Sequence, residues 1–340
     1  MRQIWITRPG DVDVLELREA ADPVPGPREV RIAVRAAGVN FADILARMGM
    51  YPDAPRPPCV VGYDISGTVD ACGSDVTGFR PGDRVFGLTH FGGYSTHVCV
   101  PEDQLFRLPD NLDFGAGAAI PVNYFTAYLA IHRFGNLQSD ERVLIHSAAG
   151  GVGTAAIELA VAIGAEVFGT ASAAKHAYIR ELGCEHPIDY RTADFASEVS
   201  RLTAGEGVHL ILDPIGGRNV AKDRRILSPL GRIVVYGVSS SSNSRRRQLL
   251  RLSATAMSFP FFHPLTLMNR NQGILGLNLG HLWGQIPRLR SVGERILELA
   301  ASGAVSPKAG HTFAFDDVRE AHRFIQDRKN TGKVVLMIDG

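Results

Sequence analysis

The chain has 340 residues, enough for about two domains with cores of their own, and its 45% hydrophobic and 21% charged content is ordinary for a soluble globular protein. Lys+Arg 36 against Asp+Glu 35 leaves a formal net charge of +1, so the total charge recruits neither DNA nor an acidic membrane surface. Cys59, Cys72, Cys99 and Cys184 form no CxxC pair, the N-terminus lacks the apolar core of a secretion signal, and no run reaches the roughly 18 apolar residues of a membrane span. A cytoplasmic protein without a transmembrane segment is expected.

In chain order, the first third carries short strand-like runs broken by Pro and Gly: Val12 to Leu17, Val30 to Ala36, Val60 to Cys72, Asp83 to Leu88 and Gly93 to Val100. They predict a small, irregular β domain. Near Ala116 the pattern turns helical, and a boundary is placed near residue 122. Next comes Val143-Leu-Ile-His-Ser-Ala-Ala-Gly-Gly-Val-Gly-Thr-Ala-Ala-Ile-Glu-Leu-Ala160, which reads as buried strand, glycine turn and helix. Gly150, Gly151 and Gly153 let the backbone bend close to a ligand, and a helix starting near Val152 offers free N–H groups to a pyrophosphate. Ala148 stands at the first glycine of the usual GxGxxG frame, so the turn is a variant that draws its weight from context. That context is a second strand, Ala165 to Thr170, at βαβ spacing, then Val208 to Leu212, Gly231 to Tyr236 and a last strand, Ile274 to Leu279. A helix is expected over His281 to Ala301, and Lys333 to Ile338 reads as a strand returning to the first domain. The fold class is therefore α/β: a β domain formed by 1–122 and 281–340, and a doubly wound parallel sheet over 123–280.

The second strand ends Gly169-Thr-Ala-Ser172, without the acid that usually holds the ribose hydroxyls of NAD. Nothing there repels a 2'-phosphate, and Ser172, Lys175 and Tyr190 supply donors and a charge, so NADPH is favoured over NADH. Lys175 can also be read as a solvated helix residue. His132, His146 and His209 lack ligand spacing and read as core or cap residues, and Ser147 has no GxSxG around it.

Five runs, Ala37-Gly-Val-Asn-Phe-Ala-Asp43, Val61-Gly-Tyr-Asp-Ile-Ser-Gly-Thr-Val69, Pro81-Gly-Asp-Arg-Val85, Phe91-Gly-Gly-Tyr94 and the Ala148-Ala-Gly-Gly-Val-Gly153 turn, occur in one order. Together they resemble the medium-chain dehydrogenase/reductase superfamily, and within it the zinc-free quinone oxidoreductase group. Val122-Asn-Tyr-Phe-Thr-Ala-Tyr128, Phe134-Gly-Asn-Leu137 and Gly169-Thr-Ala-Ser-Ala-Ala-Lys-His176 are similar to its vesicle-amine-transport-protein-like branch. The resemblance implies a GroES-like catalytic domain, a Rossmann domain and a nicotinamide cleft. Zinc-dependent relatives place ligands where Asn40, Tyr63 and Val122 stand, so no metal is expected. A quinone or conjugated enone spreads the arriving charge over its own π system, and hydrogen-bond donors then serve in place of zinc.

By the same resemblance Asn40 and Asp43 face the cleft, with Asn40 beside the nicotinamide, and Tyr51 lines the acceptor pocket. Asn40 can instead cap a helix from Phe41 to Arg47, and Tyr51 can be a half-buried aromatic with a solvated hydroxyl. Ala149, Gly150, Gly151, Val152 and Gly153 match the pyrophosphate turn, Ser172, Lys175 and Tyr190 match NADP contacts, and Thr126, Gly237, Asn278 and Arg328 match cofactor-facing positions. Relatives pair the last strand of the Rossmann sheet across a two-fold axis, which implies a homodimer. The leading function is hydride transfer from NADPH to a quinone or α,β-unsaturated carbonyl. An enoyl-thioester reductase, and an NADPH-binding protein acting through a lipid, membrane or RNA partner, are the alternatives. Segment 239–271, with Arg245, Arg246, Arg247 and Arg251 ahead of Phe259-Pro-Phe-Phe262, reads either as a lid over the acceptor site or as a basic loop followed by a core helix.

Overall fold

A computed structural model describes residues 1–238, 260 and 262–339. They form two compact units, one of residues 1–125, 280–297 and 307–340, the other of residues 126–279 and 298–306. Residues 298–306, placed by sequence with the first domain, group with the second unit, where the Ser306 N–H donates to Glu158 Oε2 at 3.0 Å.

The first unit is built on a long strand, Glu29–Val39, whose alternating burial puts Val30, Ile32 and Val34 into the core. Asp64–Cys72 pairs with it antiparallel on one side, followed by Arg84–Leu88 and Leu105–Arg107. On the other side Lys333–Met337 pairs antiparallel in the register Val334 to Val39, and Ala309–Ala314 lies beyond it. The tail strand thus joins the N-terminal sheet. His97–Pro101 also pairs with Glu29–Val39, and Leu15–Glu19, Arg2–Ile6 and Cys59–Val60 form a smaller sheet. The strand expected over Val12 to Leu17 starts later, because Asp11 accepts the Val12 N–H at 2.8 Å and winds Val12–Val14 into a 3-10 turn.

The second unit is a six-stranded parallel sheet. Its spatial order is His186–Asp189, Glu166–Ala171, Arg142–Ile145, Val208–Asp213, Leu227–Val235 and Gly273–Gly276. The chain reverses its direction of winding between Arg142–Ile145 and Val208–Asp213, the place where open α/β sheets bind ligands. Val143, Leu144, Ile145, Leu210, Ile211 and Leu212 are fully buried, as central parallel strands require. The helix Gly151–Ile163 follows the first strand and ends on Gly164, whose φ of 88° is the left-handed conformation glycine adopts without strain.

Two boundaries differ from those read in the sequence. The last strand stops at Gly276, not Leu279, because its neighbour ends at Val235 and the Tyr236 N–H turns to Asp213 O at 3.0 Å. The helix expected from His281 begins at Ile286, where Pro287 sits in the first turn and 3-10 turns occupy Leu279–His281 and Trp283–Gln285. Of segment 239–271, residues 239–259 and 261 lie outside the described residues. Phe262 packs against the core of the second unit with the Arg224 guanidinium 5.6 Å from its ring, and Pro264–Met268 is a single short helix.

Candidate functional site

The first unit holds a buried polar cluster. Asn40 follows the strand Glu29–Val39 and caps the helix Phe41–Arg47 in extended conformation, and its N–H donates to Asp43 Oδ2 at 2.8 Å, the returning arm of a capping box. Its side chain is engaged elsewhere. Asn40 Nδ2 donates to Asp64 Oδ2 at 2.7 Å, and Lys333 Nζ donates to Asn40 Oδ1 at 2.7 Å and to Asp64 Oδ2. Asp64 Oδ1 accepts the Val122 N–H at 2.7 Å. Asn40 is 7% exposed, Lys333 3% and Asp64 0%. Gly38 makes room for this: a Cβ there would lie 2.5 Å from Lys333 Cε and 2.8 Å from Asp64 Cβ. The sequence alternatives for Asn40 coexist, the backbone capping the helix while the amide joins the cluster.

Asp43 lies on the other side of that cap. Tyr94 donates its hydroxyl to Asp43 Oδ2 at 3.2 Å and stands 3.2 Å from His322 Nε2. Burial, reinforced by the Asp64 carboxylate, pushes the Asp43 carboxyl up to about 7 despite the Asn40 N–H. Burial, with the Arg47 guanidinium behind it, holds His322 well below the usual imidazole range and hence neutral. Asp43 Oδ1 and His322 Nδ1 are buried without a hydrogen-bond partner. Tyr51 is half-buried against the core, and burial raises the Tyr51 and Tyr63 phenols above their ordinary range. The Tyr63 ring is 4.9 Å from Phe91.

Among the described residues no three His, Cys, Asp or Glu side chains stand close enough to hold a metal ion. In the Asn40 cluster an ammonium already neutralises Asp64 and takes the amide oxygen. This donor set does not suit zinc.

In the second unit the strand Arg142–Ile145 runs through His146 into a turn at Ser147, which adopts φ 53°. The Ala148 N–H donates to Thr170 O at 3.0 Å and the Gly150 N–H to Ser147 O at 2.8 Å. Gly150 caps the helix Gly151–Ile163 without a side-chain bond, so the first-turn N–H groups face outward for an anion. A Cβ on Gly153 would lie 2.4 Å from Ser147 O and 2.7 Å from Ala148 O, so only glycine lets the helix close onto the turn. The turn fits a dinucleotide pyrophosphate. His146 is buried, bonded to Thr170 Oγ1 at 3.0 Å and to Asp223 at 2.9 Å, and ties two strands to the helix Arg218–Asp223.

The other expected cofactor residues stand mainly after the C-terminal ends of these parallel strands. Ser172 and Lys175 follow Glu166–Ala171, with the Lys175 N–H on Ser172 O at 2.8 Å. Tyr190, 40% exposed, follows His186–Asp189, Gly237 follows Leu227–Val235, and Asn278 follows Gly273–Gly276. Thr126 is buried in the helix Pro121–Tyr128, and Arg328 belongs to the first unit, at φ 56° after the helix Val318–Gln326.

Residues 26–110 match the alcohol dehydrogenase GroES-like domain and residues 182–336 the zinc-binding dehydrogenase domain. The human synaptic vesicle membrane protein VAT-1 homolog is 38% identical over 340 residues, 99% of this chain and 86% of that protein. The chain belongs to the medium-chain dehydrogenase/reductase superfamily. Among solved structures, this dehydrogenase/reductase resembles the human VAT-1 homolog-like protein with TM-score 0.87 and 32% identity, covering 100% of this chain and 98% of that one. It resembles the CurK enoyl reductase with TM-score 0.86 and 28% identity, over 99% of each chain. The Escherichia coli quinone oxidoreductase complexed with NADPH gives TM-score 0.88 and 25% identity, over 99% of this chain and 100% of that one. The GroES-like and Rossmann-like domains expected from the sequence are both present.

Sequence reasoning passed over Asp64, Lys333, Tyr94 and His322 as members of the site. One signal was there: Asp64 and Lys333 each sit within a run of residues otherwise suited to a buried strand.

Proposed function

We propose that this dehydrogenase/reductase binds NADPH and reduces a quinone or an α,β-unsaturated carbonyl without a metal. The observation that carries this reading is the Asn40 cluster, in which Lys333 supplies a buried positive charge beside the Asn40 amide. When bound, the nicotinamide supplies a hydride. The 148–153 turn would hold the pyrophosphate through Ala149, Gly150, Gly151, Val152 and Gly153. Ser172, Lys175 and Tyr190 would hold the 2'-phosphate, and Thr126, Gly237, Asn278 and Arg328 would complete the contacts. Tyr51 or water delivers the proton that accompanies reduction. A phenol raised by burial keeps its proton at neutral pH and remains a hydrogen-bond donor to the acceptor oxygen, giving the proton up only to a strongly basic enolate.

The test follows NADPH absorbance with a panel of quinones, enals and enoyl thioesters. Turnover of a quinone or enal is expected, with Tyr51→Phe and Asn40→Ala each lowering it while NADPH affinity stays within a few fold. No oxidation with any acceptor would remove the reading. Preference for enoyl thioesters would favour a second reading, supported by the likeness to the CurK enoyl reductase. NADPH binding without turnover would favour a binding role at a lipid, membrane or RNA partner; the VAT-1 relatives are named as synaptic vesicle membrane proteins. Among the described residues no helix is long and apolar enough to cross a membrane.

A further inference from the structure

The amide of Asn40 has one orientation open to it. An ammonium offers only protons, and the Asp64 oxygens take them from Lys333, Asn40 and the Val122 N–H, so Oδ1 must face Lys333 and Nδ2 must face Asp64. A flipped amide would set N–H against the ammonium and oxygen against the carboxylate. The two partners are themselves fixed. Val122 pins Asp64 at 2.7 Å, and Lys333 opens the strand that pairs from Val334 to Val39 with the strand leading into Asn40. Of the amide's bonding positions, Oδ1 and one Nδ2–H are used. The second Nδ2–H has no partner among the described residues, and Asn40 retains a small exposed fraction.

We propose that Lys333 and Asp64 are positioning residues that fix Asn40 as the N–H donor to the oxygen of the conjugated acceptor. The acceptor in this statement rests on the function proposed above; the fixed amide does not. Addition of hydride to the β-carbon of an enone, or to a quinone, moves an electron pair onto the carbonyl oxygen, which a proton from Tyr51 or water later neutralises. An N–H aimed there in advance stabilises that charge with no reorganisation during the reaction. Without the lysine the amide can rotate, and its carbonyl then faces the oxygen it should stabilise.

The experiment measures kcat, KM and NADPH affinity for Lys333→Met, Lys333→Arg, Asn40→Ala and the double variant Lys333→Met/Asn40→Ala. Lys333→Met should lower kcat about 10- to 100-fold, below the full loss of an oxyanion donor, with NADPH affinity within about threefold. Lys333→Arg should restore much of the rate, and Lys333→Met should cost nothing further once Asn40 is alanine. Unchanged kcat in Lys333→Met, or the same loss with and without Asn40, would overturn the proposal, since a pair serving stability alone acts regardless of the amide. If Lys333→Met fails to fold, Asp64→Asn replaces it in the same cycle. The side-chain amide NMR signals of Asn40 give a readout free of turnover. Its two protons should be well separated in the wild type and converge in Lys333→Met. Wild type that reduces no acceptor would remove the proposed function, whereas amide signals indifferent to Lys333→Met would remove the orientation.

Discussion

Replacing Asp43 with asparagine should abolish a pH-dependent loss of stability in the first unit. Two donors, the Asn40 N–H and the Tyr94 hydroxyl, converge on Asp43 Oδ2, while Oδ1 is buried with none. Both donors favour the carboxylate, but burial, with the Asp64 carboxylate behind it, outweighs them, so the fold accommodates a neutral carboxyl better and the pKa rises from 3.8 to about 7. Below pH about 4 the group is protonated in both states and the stability is fully present. Between about 4 and 7 the unfolded chain ionises first, so unfolding releases a proton and stability falls as pH rises. Above about 7 both states are ionised and the loss is complete. About three pKa units at 1.36 kcal/mol each correspond to a few kcal/mol at most. Asp43→Asn mimics the protonated carboxyl at every pH, so its stability relative to wild type should grow between pH about 4 and about 8. Trp5 and Trp283, the only two tryptophans, both lie in the first unit, so urea titrations followed by tryptophan fluorescence read that unit. Parallel pH profiles for variant and wild type would refute the reasoning.

Gly153→Val should weaken NADPH binding at least about tenfold, because its Cβ would press on Ser147 O and Ala148 O and push the helix off the turn; calorimetry on a variant with retained circular dichroism checks this. Lys175→Ala should weaken NADPH by about 1.5 to 3 kcal/mol and leave NADH alone, and equal effects on the two in equilibrium titrations would show that it does not meet a 2'-phosphate. Among the described residues the strand Gly273–Gly276 has a partner on one side only, so a homodimer paired along this edge is expected. Light scattering that returns a monomer at micromolar concentration would count against it.

The amino-acid sequence by itself carried the Rossmann half of this protein. The run from Val143 to Ala160 has its strand, glycine turn and helix within eighteen residues (143–160), and each is dictated locally: apolar side chains for a buried strand, glycine where a Cβ would meet Ser147 O, helical spacing thereafter. The short strand His186–Asp189 escaped notice because Pro187 interrupts it, and an edge position tolerates what a central strand would not. Strand ends were missed where a neighbouring strand decides them, as at Gly276, whose partner runs out at Val235. Asn40 and Asp43 were singled out from their motif, but the buried contacts they make were not legible there. Lys333 lies 293 residues from Asn40 in sequence, and a lysine at the head of a strand reads as a solvated charge until strand pairing buries it. Local pattern reports what a residue does to its own backbone. Which charges meet inside a core depends on sheet register, and only the tertiary structure sets Lys333, Asp64 and Asn40 within hydrogen-bond reach of one another.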